Sequence, residues 1–74
     1  ETGIGRATNL ALATLPGFSL PGDLSAAGRF WADDVVTEPA VLGADGTLAV
    51  PSGVGAGVEV ADLSRWTVSR RRLA

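Results

Sequence analysis

Glu1-Thr2-Gly3-Ile4-Gly5-Arg6-Ala7-Thr8-Asn9-Leu10-Ala11-Leu12-Ala13-Thr14-Leu15 decides the fold, read together with the break at Pro16-Gly17, the apolar Phe18-Ser19-Leu20 and the second break at Pro21-Gly22-Asp23. A carboxylate and two glycines lead into an apolar run, then a loop, a short strand and another loop. That order is the rhythm of a βα-repeat enzyme, in which function sits on the loops that follow strands. A chain that opens on Glu1 with no Met ahead of it is expected to be a cut through a larger protein.

Ile4, Ala7, Ala11 and Leu15 share one helical face, which Leu10 and Leu12 widen, so the spacing predicts a buried helix over Arg6–Leu15 that ends at Pro16-Gly17. Phe18–Leu20 reads as a sheet or barrel strand. Asp23 is placed to cap a second helix over Leu24–Ala32, and Asp33-Asp34 ends that helix in a turn. From Val35 the texture becomes β-branched. Val35-Val36 leads to a Thr37-Glu38-Pro39 bend. Ala40–Leu42 and Thr47–Val50 then flank an Asp45-Gly46 turn, as in a hairpin. Gly53-Val54-Gly55-Ala56-Gly57 cannot be a stable helix and reads as a packed loop. Val58–Trp66 is expected to add a short strand and one helical turn, followed by a solvated Arg70-Arg71-Arg72 tail.

Composition narrows the chemistry. Seventy-four residues make at most one small domain, and a chain of this size buries only about 60% of its unfolded surface. There is no Cys and no His, which removes thiolate sites, the commonest general base and the commonest metal ligand. All six basic residues are Arg and the formal charge is -2, which argues against non-specific nucleic-acid binding. No apolar run approaches the roughly 20 residues of a membrane helix, and no secretory pattern is present. The expected partners are neither nucleic acid nor membrane, and the expected location is the cytoplasm.

Each local motif has a plain structural alternative. Gly3-Ile4-Gly5 ahead of a helix could cradle a phosphate, but the third glycine of a dinucleotide fingerprint falls on Thr8. A tight strand-to-helix turn is the better reading. Asp33, Asp34 and Glu38 lack the spacing of a calcium loop and read as surface acids. Trp31 and Trp66 read as core or interface anchors. Glu1 and Asp23 are stronger candidates, since each sits where a barrel strand would end and both would face one mouth. Asp23 also suits helix capping.

Glu1–Ala13, Leu15–Ala26, Asp34–Pro39, Asp45–Pro51 and Gly53–Val58, taken as an ordered series, resemble the C-terminal part of enolase-superfamily enzymes of the muconate-lactonizing subgroup. The likeness is strongest to the o-succinylbenzoate synthase and N-acylamino acid racemase family, and it covers about residues 1 to 60. The resemblance implies an α/β fold, the C-terminal piece of a (β/α)7β TIM-like barrel plus a β-hairpin that returns to an N-terminal capping domain. Residues 1–34 would hold the last βα units, 35–60 the hairpin and glycine loop packing on the capping domain, and 61–74 the tail. Glu1 would end the penultimate strand facing the substrate pocket, Gly3 and Gly5 would turn into the next helix, and Gly22 and Asp23 would close the last strand. Glu1, Gly3 and Asp23 are thus the implied substrate-binding residues.

The implied reaction is proton abstraction next to a carboxylate, with the enediolate stabilised by a magnesium ion and water lost, as in menaquinone synthesis. N-acylamino acid racemases, dipeptide epimerases and muconate cycloisomerases share that chemistry. The family's catalytic lysines and three acidic metal ligands have no counterparts here: there is no Lys in the chain. No catalytic residue or metal ligand is therefore expected, and the 74 residues alone are expected to be inactive. Leu24 stands where the family often has Thr and Ala27 where it often has Ser. The expected partners are a small-molecule carboxylate substrate and the rest of the barrel and capping domain, with a homo-oligomer open. A reading of another class is a small interaction module with a hairpin edge for strand addition. Such a module requires Phe18, Trp31, Leu42 and Trp66 to close one core, whereas a slice of barrel leaves its flanks exposed.

Overall fold

The computed structural model describes residues 1–73. The last residue of the expected 61–74 tail lies outside them. One regular helix forms, α1 (Gly3–Ala13), followed by single 3-10 turns at Ala27–Arg29 and Ser64–Trp66. The helix starts three residues earlier than its apolar spacing indicated, so Gly3-Ile4-Gly5 is its first turn and not a loop ahead of it. Its buried face is Gly3, Arg6, Ala7 and Leu10. Ile4 and Leu15, expected inside, are exposed.

No strand forms among the described residues. Two isolated antiparallel bridges stand in their place, Val36 with Val60 and Leu42 with Leu48. The first is framed by Thr37 N–H to Glu59 O at 3.0 Å and Ala61 N–H to Val35 O at 2.8 Å, so the β-branched 35–37 stretch does pair. The second closes a chain reversal in which Gly43 N–H donates to Thr47 O at 2.8 Å and Gly46 N–H to Gly43 O at 3.0 Å. Gly46 takes φ +82° there, the left-handed region that glycine enters without a Cβ penalty. The expected Asp-Gly turn is present, but the expected hairpin is reduced to one bridge. Phe18–Leu20 is likewise irregular: a strand's N–H and C=O groups need a neighbouring strand, and no bridge involves these residues among those described. The helix expected over Leu24–Ala32 shortens to the Ala27–Arg29 turn, whose N-cap is Ala26 and not Asp23.

The glycine loop closes on itself. Gly57 N–H donates to Val54 O at 3.0 Å, and Gly57, at φ +77°, lies so close to Pro51 that a Cβ would sit 2.7 Å from the proline Cβ.

The hydrophobic centre consists of Ala7, Leu10, Ala27 and Val36. It is small: Phe18, Trp31, Leu42 and Trp66 remain 59%, 44%, 57% and 40% exposed, so the closed core an autonomous module requires is not built among the described residues. The accessible surface is 6095 Å², against roughly 4,200 Å² for a compact monomer of this mass. The radius of gyration is 14.0 Å, against about 11 Å for a compact chain of this length. No described helix is long and apolar enough to cross a membrane.

Candidate functional site

The polar groups gather at the N-terminal end of α1. A helix leaves its first N–H groups without intrahelical acceptors, and Thr2, the N-cap, supplies no side-chain bond. Asp34 supplies one instead. Its Oδ1 accepts the Gly3 N–H at 2.8 Å and the Val35 N–H at 2.7 Å, and the residue is only 8% exposed. A glycine is needed at position 3 for this approach, since a Cβ there would meet both the Val36 side chain and the Asp34 carboxylate. Asp34 is therefore a buried cap and not the surface acid its sequence context indicated. Its carboxylate occupies the place a phosphate would take, so the Gly3-Ile4-Gly5 turn is already neutralised from within.

Glu1 lies beside the same turn. Asn9 Nδ2 donates to its Oε2 at 2.7 Å, Arg6 Nε stands 3.7 Å from its Oε1, and Trp31 Nε1 donates to its backbone carbonyl at 3.0 Å. The Arg6 contact is too long for a hydrogen bond and acts as a charge contact. Arg6 itself is 3% exposed and its guanidinium stands 5.9 Å from the centre of the Phe30 ring. Arg6 Nε and Nη1 and Asp34 Oδ2 are buried with no hydrogen-bond partner among the described residues.

Of the three residues implied as substrate-binding, Glu1 and Gly3 come together at this helix end. Asp23 is exposed and has no recorded hydrogen bond or ion pair among the described residues, so the structure does not join it to the other two. Sequence reasoning missed Asp34, Arg6, Asn9 and Trp31. Arg6 was signalled, since it falls inside the Gly3, Ala7, Leu10 stripe at helical spacing. Asp34 and Trp31 carried no local signal. No group of three acids capable of holding a metal ion occurs among the described residues. Glu1 and Asp34 are the two carboxylates at the helix end, and no third ligand-type side chain joins them among the described residues, so this end of α1 does not by itself make a magnesium site.

No protein-family model matches the chain. An N-succinylamino acid racemase of Thermus thermophilus is 57% identical over 60 residues, 81% of this chain and 16% of that protein. An o-succinylbenzoate synthase of Bacillus subtilis is 46% identical over 71 residues, 95% of this chain and 19% of that protein. The chain is a homologue of o-succinylbenzoate synthases and N-succinylamino acid racemases. A crystal structure of an enolase-superfamily member from Enterococcus faecalis superposes with a TM-score of 0.76 at 47% identity, covering 86% of this chain and 17% of that one. A second, from Listeria innocua, gives 0.75 at 48% identity, over 88% of this chain and 17% of that one. Its structural neighbours are thus enolase-superfamily members, in line with the resemblance carried by the Glu1–Val58 segments. The chain spans between 16% and 19% of the length of these relatives.

Proposed function

We propose that these residues form part of an o-succinylbenzoate synthase-like enzyme, contributing a wall of its substrate pocket while the proton-transfer groups and the magnesium ligands belong to other segments. The observation that carries this is the 57% identity to a racemase and 46% to a synthase over most of the chain, at a level where the fold is shared as well. The reaction would be removal of a proton next to a carboxylate followed by loss of water, giving o-succinylbenzoate for menaquinone synthesis. Racemisation of N-acylamino acids starts from the same proton removal and is the companion activity. The magnesium ion such an enzyme binds would stabilise the charge that develops on the substrate carboxylate.

The physical state of the chain supports a part in a larger body. The surface excess, the exposed Trp31 and Trp66 and the unpaired Arg6 nitrogens are what a unit shows when its packing neighbours are supplied by other segments. In this reading Phe18–Leu20 becomes a strand once neighbouring strands flank it, and the enzyme works in the cytoplasm. What these residues contribute is local: α1 and its Asp34 cap fix where Glu1 stands, and Glu1 faces the substrate.

The test is catalytic. The full-length protein, expressed and supplied with magnesium, is assayed for o-succinylbenzoate formation by absorbance and for N-succinylamino acid racemisation by polarimetry. Turnover of either substrate agrees with the reading. Absence of both activities from folded, magnesium-supplied protein overturns it.

A further inference from the structure

Glu1 is restrained from two sides of its carboxylate by one helix, and this arrangement deepens the functional reading on which it rests. A glutamate side chain has three rotatable bonds, and fixing them at each binding event costs rotamer freedom that a preformed bracket removes. Asn9 holds Oε2 at 2.7 Å from the exposed side of α1, and Arg6 faces Oε1 at 3.7 Å from the buried side. The Trp31 indole holds the Glu1 carbonyl at 3.0 Å and so fixes the backbone from which the side chain springs.

We infer that Asn9 and Arg6 are positioning residues for Glu1, and that the held carboxylate recognises a hydrogen-bond donor on the substrate. A carboxylate offers about four acceptor sites and no donor. Asn9 takes one of them, and the side chain stays 37% exposed, so acceptor capacity remains on the open side. The substrate's own carboxylate would be repelled by it. The group it meets is therefore an N–H or O–H, such as the amide of an N-acylamino acid or the hydroxyl lost in forming o-succinylbenzoate. Arg6, buried against Phe30, keeps the negative charge in place without competing for the open face.

The experiment uses the full-length enzyme with Asn9→Ala, Glu1→Gln, Arg6→Met and the double variant Glu1→Gln/Asn9→Ala. Asn9 is exposed, so its replacement leaves folding intact even where Arg6→Met does not fold. Asn9→Ala is expected to raise KM about two- to tenfold, the worth of one such bond, with kcat changed by less than about twofold. The double variant is expected to be no worse than Glu1→Gln alone. An unchanged KM in Asn9→Ala, or losses that add in the double variant, overturns the inference. A second readout needs no turnover. With asparagine side chains labelled by ¹⁵N, Glu1→Gln should shift the Asn9 amide resonance, and an unmoved resonance removes the contact itself. If neither substrate is turned over, the functional reading fails by itself, and the resonance still decides whether Asn9 holds Glu1.

Discussion

Asp34 caps α1 from 31 residues downstream, its Oδ1 accepting the Gly3 N–H at 2.8 Å while it also takes the Val35 N–H at 2.7 Å. One carboxylate thereby ties the helix start to the turn that leads into the Val36–Val60 bridge. Its negative charge also lies at the positive end of the helix dipole. Replacing Asp34 by Ala leaves two N–H donors without this acceptor, and the expected loss is about 1–3 kcal/mol. Asp34→Asn keeps an acceptor oxygen and should lose less. Urea denaturation of both variants checks the order, and equal losses would show that the charge, not the bond, matters.

Gly3 has the opposite requirement, an absence of side chain. Gly3→Ala normally favours a helix, by about 1 kcal/mol. Here the added methyl would run into Val36 and the Asp34 carboxylate, so the variant should instead be destabilised, by about 1–3 kcal/mol. A rise in melting temperature for Gly3→Ala would contradict the close approach.

Two exposed acids carry a pH signature. Asp45 is held below its ordinary 3.8 by the Thr47 hydroxyl and N–H, and Asp62 below 3.8 by the Ser64 N–H and hydroxyl. A depressed folded-state value means that the ionised form is the one the turn binds, so each turn is intact above 3.8 and loosens as pH falls through the lowered value. Carboxyl ¹³C titration should place both midpoints under 3.8. Thr47→Val, which removes the hydroxyl bond of 2.7 Å, should move Asp45 back towards its ordinary value and leave Asp62 unchanged.

Arg65 pairs with Asp33 at 3.0 Å and lies 4.2 Å from the centre of the Trp66 ring. Both charged side chains are more than half exposed, and exposed pairs contribute about 1 kcal/mol or less. Arg65→Ala should therefore shift stability by no more than that, with most of the ion-pair share gone in high salt. A loss several times larger would show that this corner is covered in the full-length protein.

The isolated 74 residues should bind a hydrophobic dye and melt without a sharp transition, because the buried centre is four small or medium side chains and the Trp residues stay exposed. Calorimetry that finds one cooperative peak for a monomer would refute the view that other segments complete the core.

What the sequence made legible follows from how local each signal is. The α1 helix was readable because the 3.6 periodicity is written within eleven residues, although its start shifted from Arg6 to Gly3 because the deciding cap lies at Asp34. The Asp45-Gly46 reversal and the glycine loop were readable for the same reason, since Gly46, Gly55 and Gly57 adopt the positive φ that few other residues tolerate. The expected Phe18–Leu20 strand does not form among the described residues, and the expected Leu24–Ala32 helix shortens to the Ala27–Arg29 turn. Strand pairing and a helix of modest propensity both depend on neighbours that lie far along the chain or outside it. At the candidate site, the sequence paired Glu1 with Asp23 and the resemblance added Gly3; the structure leaves Asp23 apart and sets Glu1 and Gly3 at one helix end. The residues that hold them, Asp34 and Trp31, are separated from them by 31 and 30 positions, a distance at which one sequence gives no clue.

That separation sets an order of events during synthesis. An eleven-residue helix is marginal by itself in water, and the acceptor for its first N–H is made 31 residues later. At roughly 5–20 residues per second the nascent helix waits about 2–6 s before its clasp leaves the ribosome. Chaperone capture or proteolytic nicking of this chain should therefore concentrate in that interval and fall away once Asp34 and Val35 have emerged.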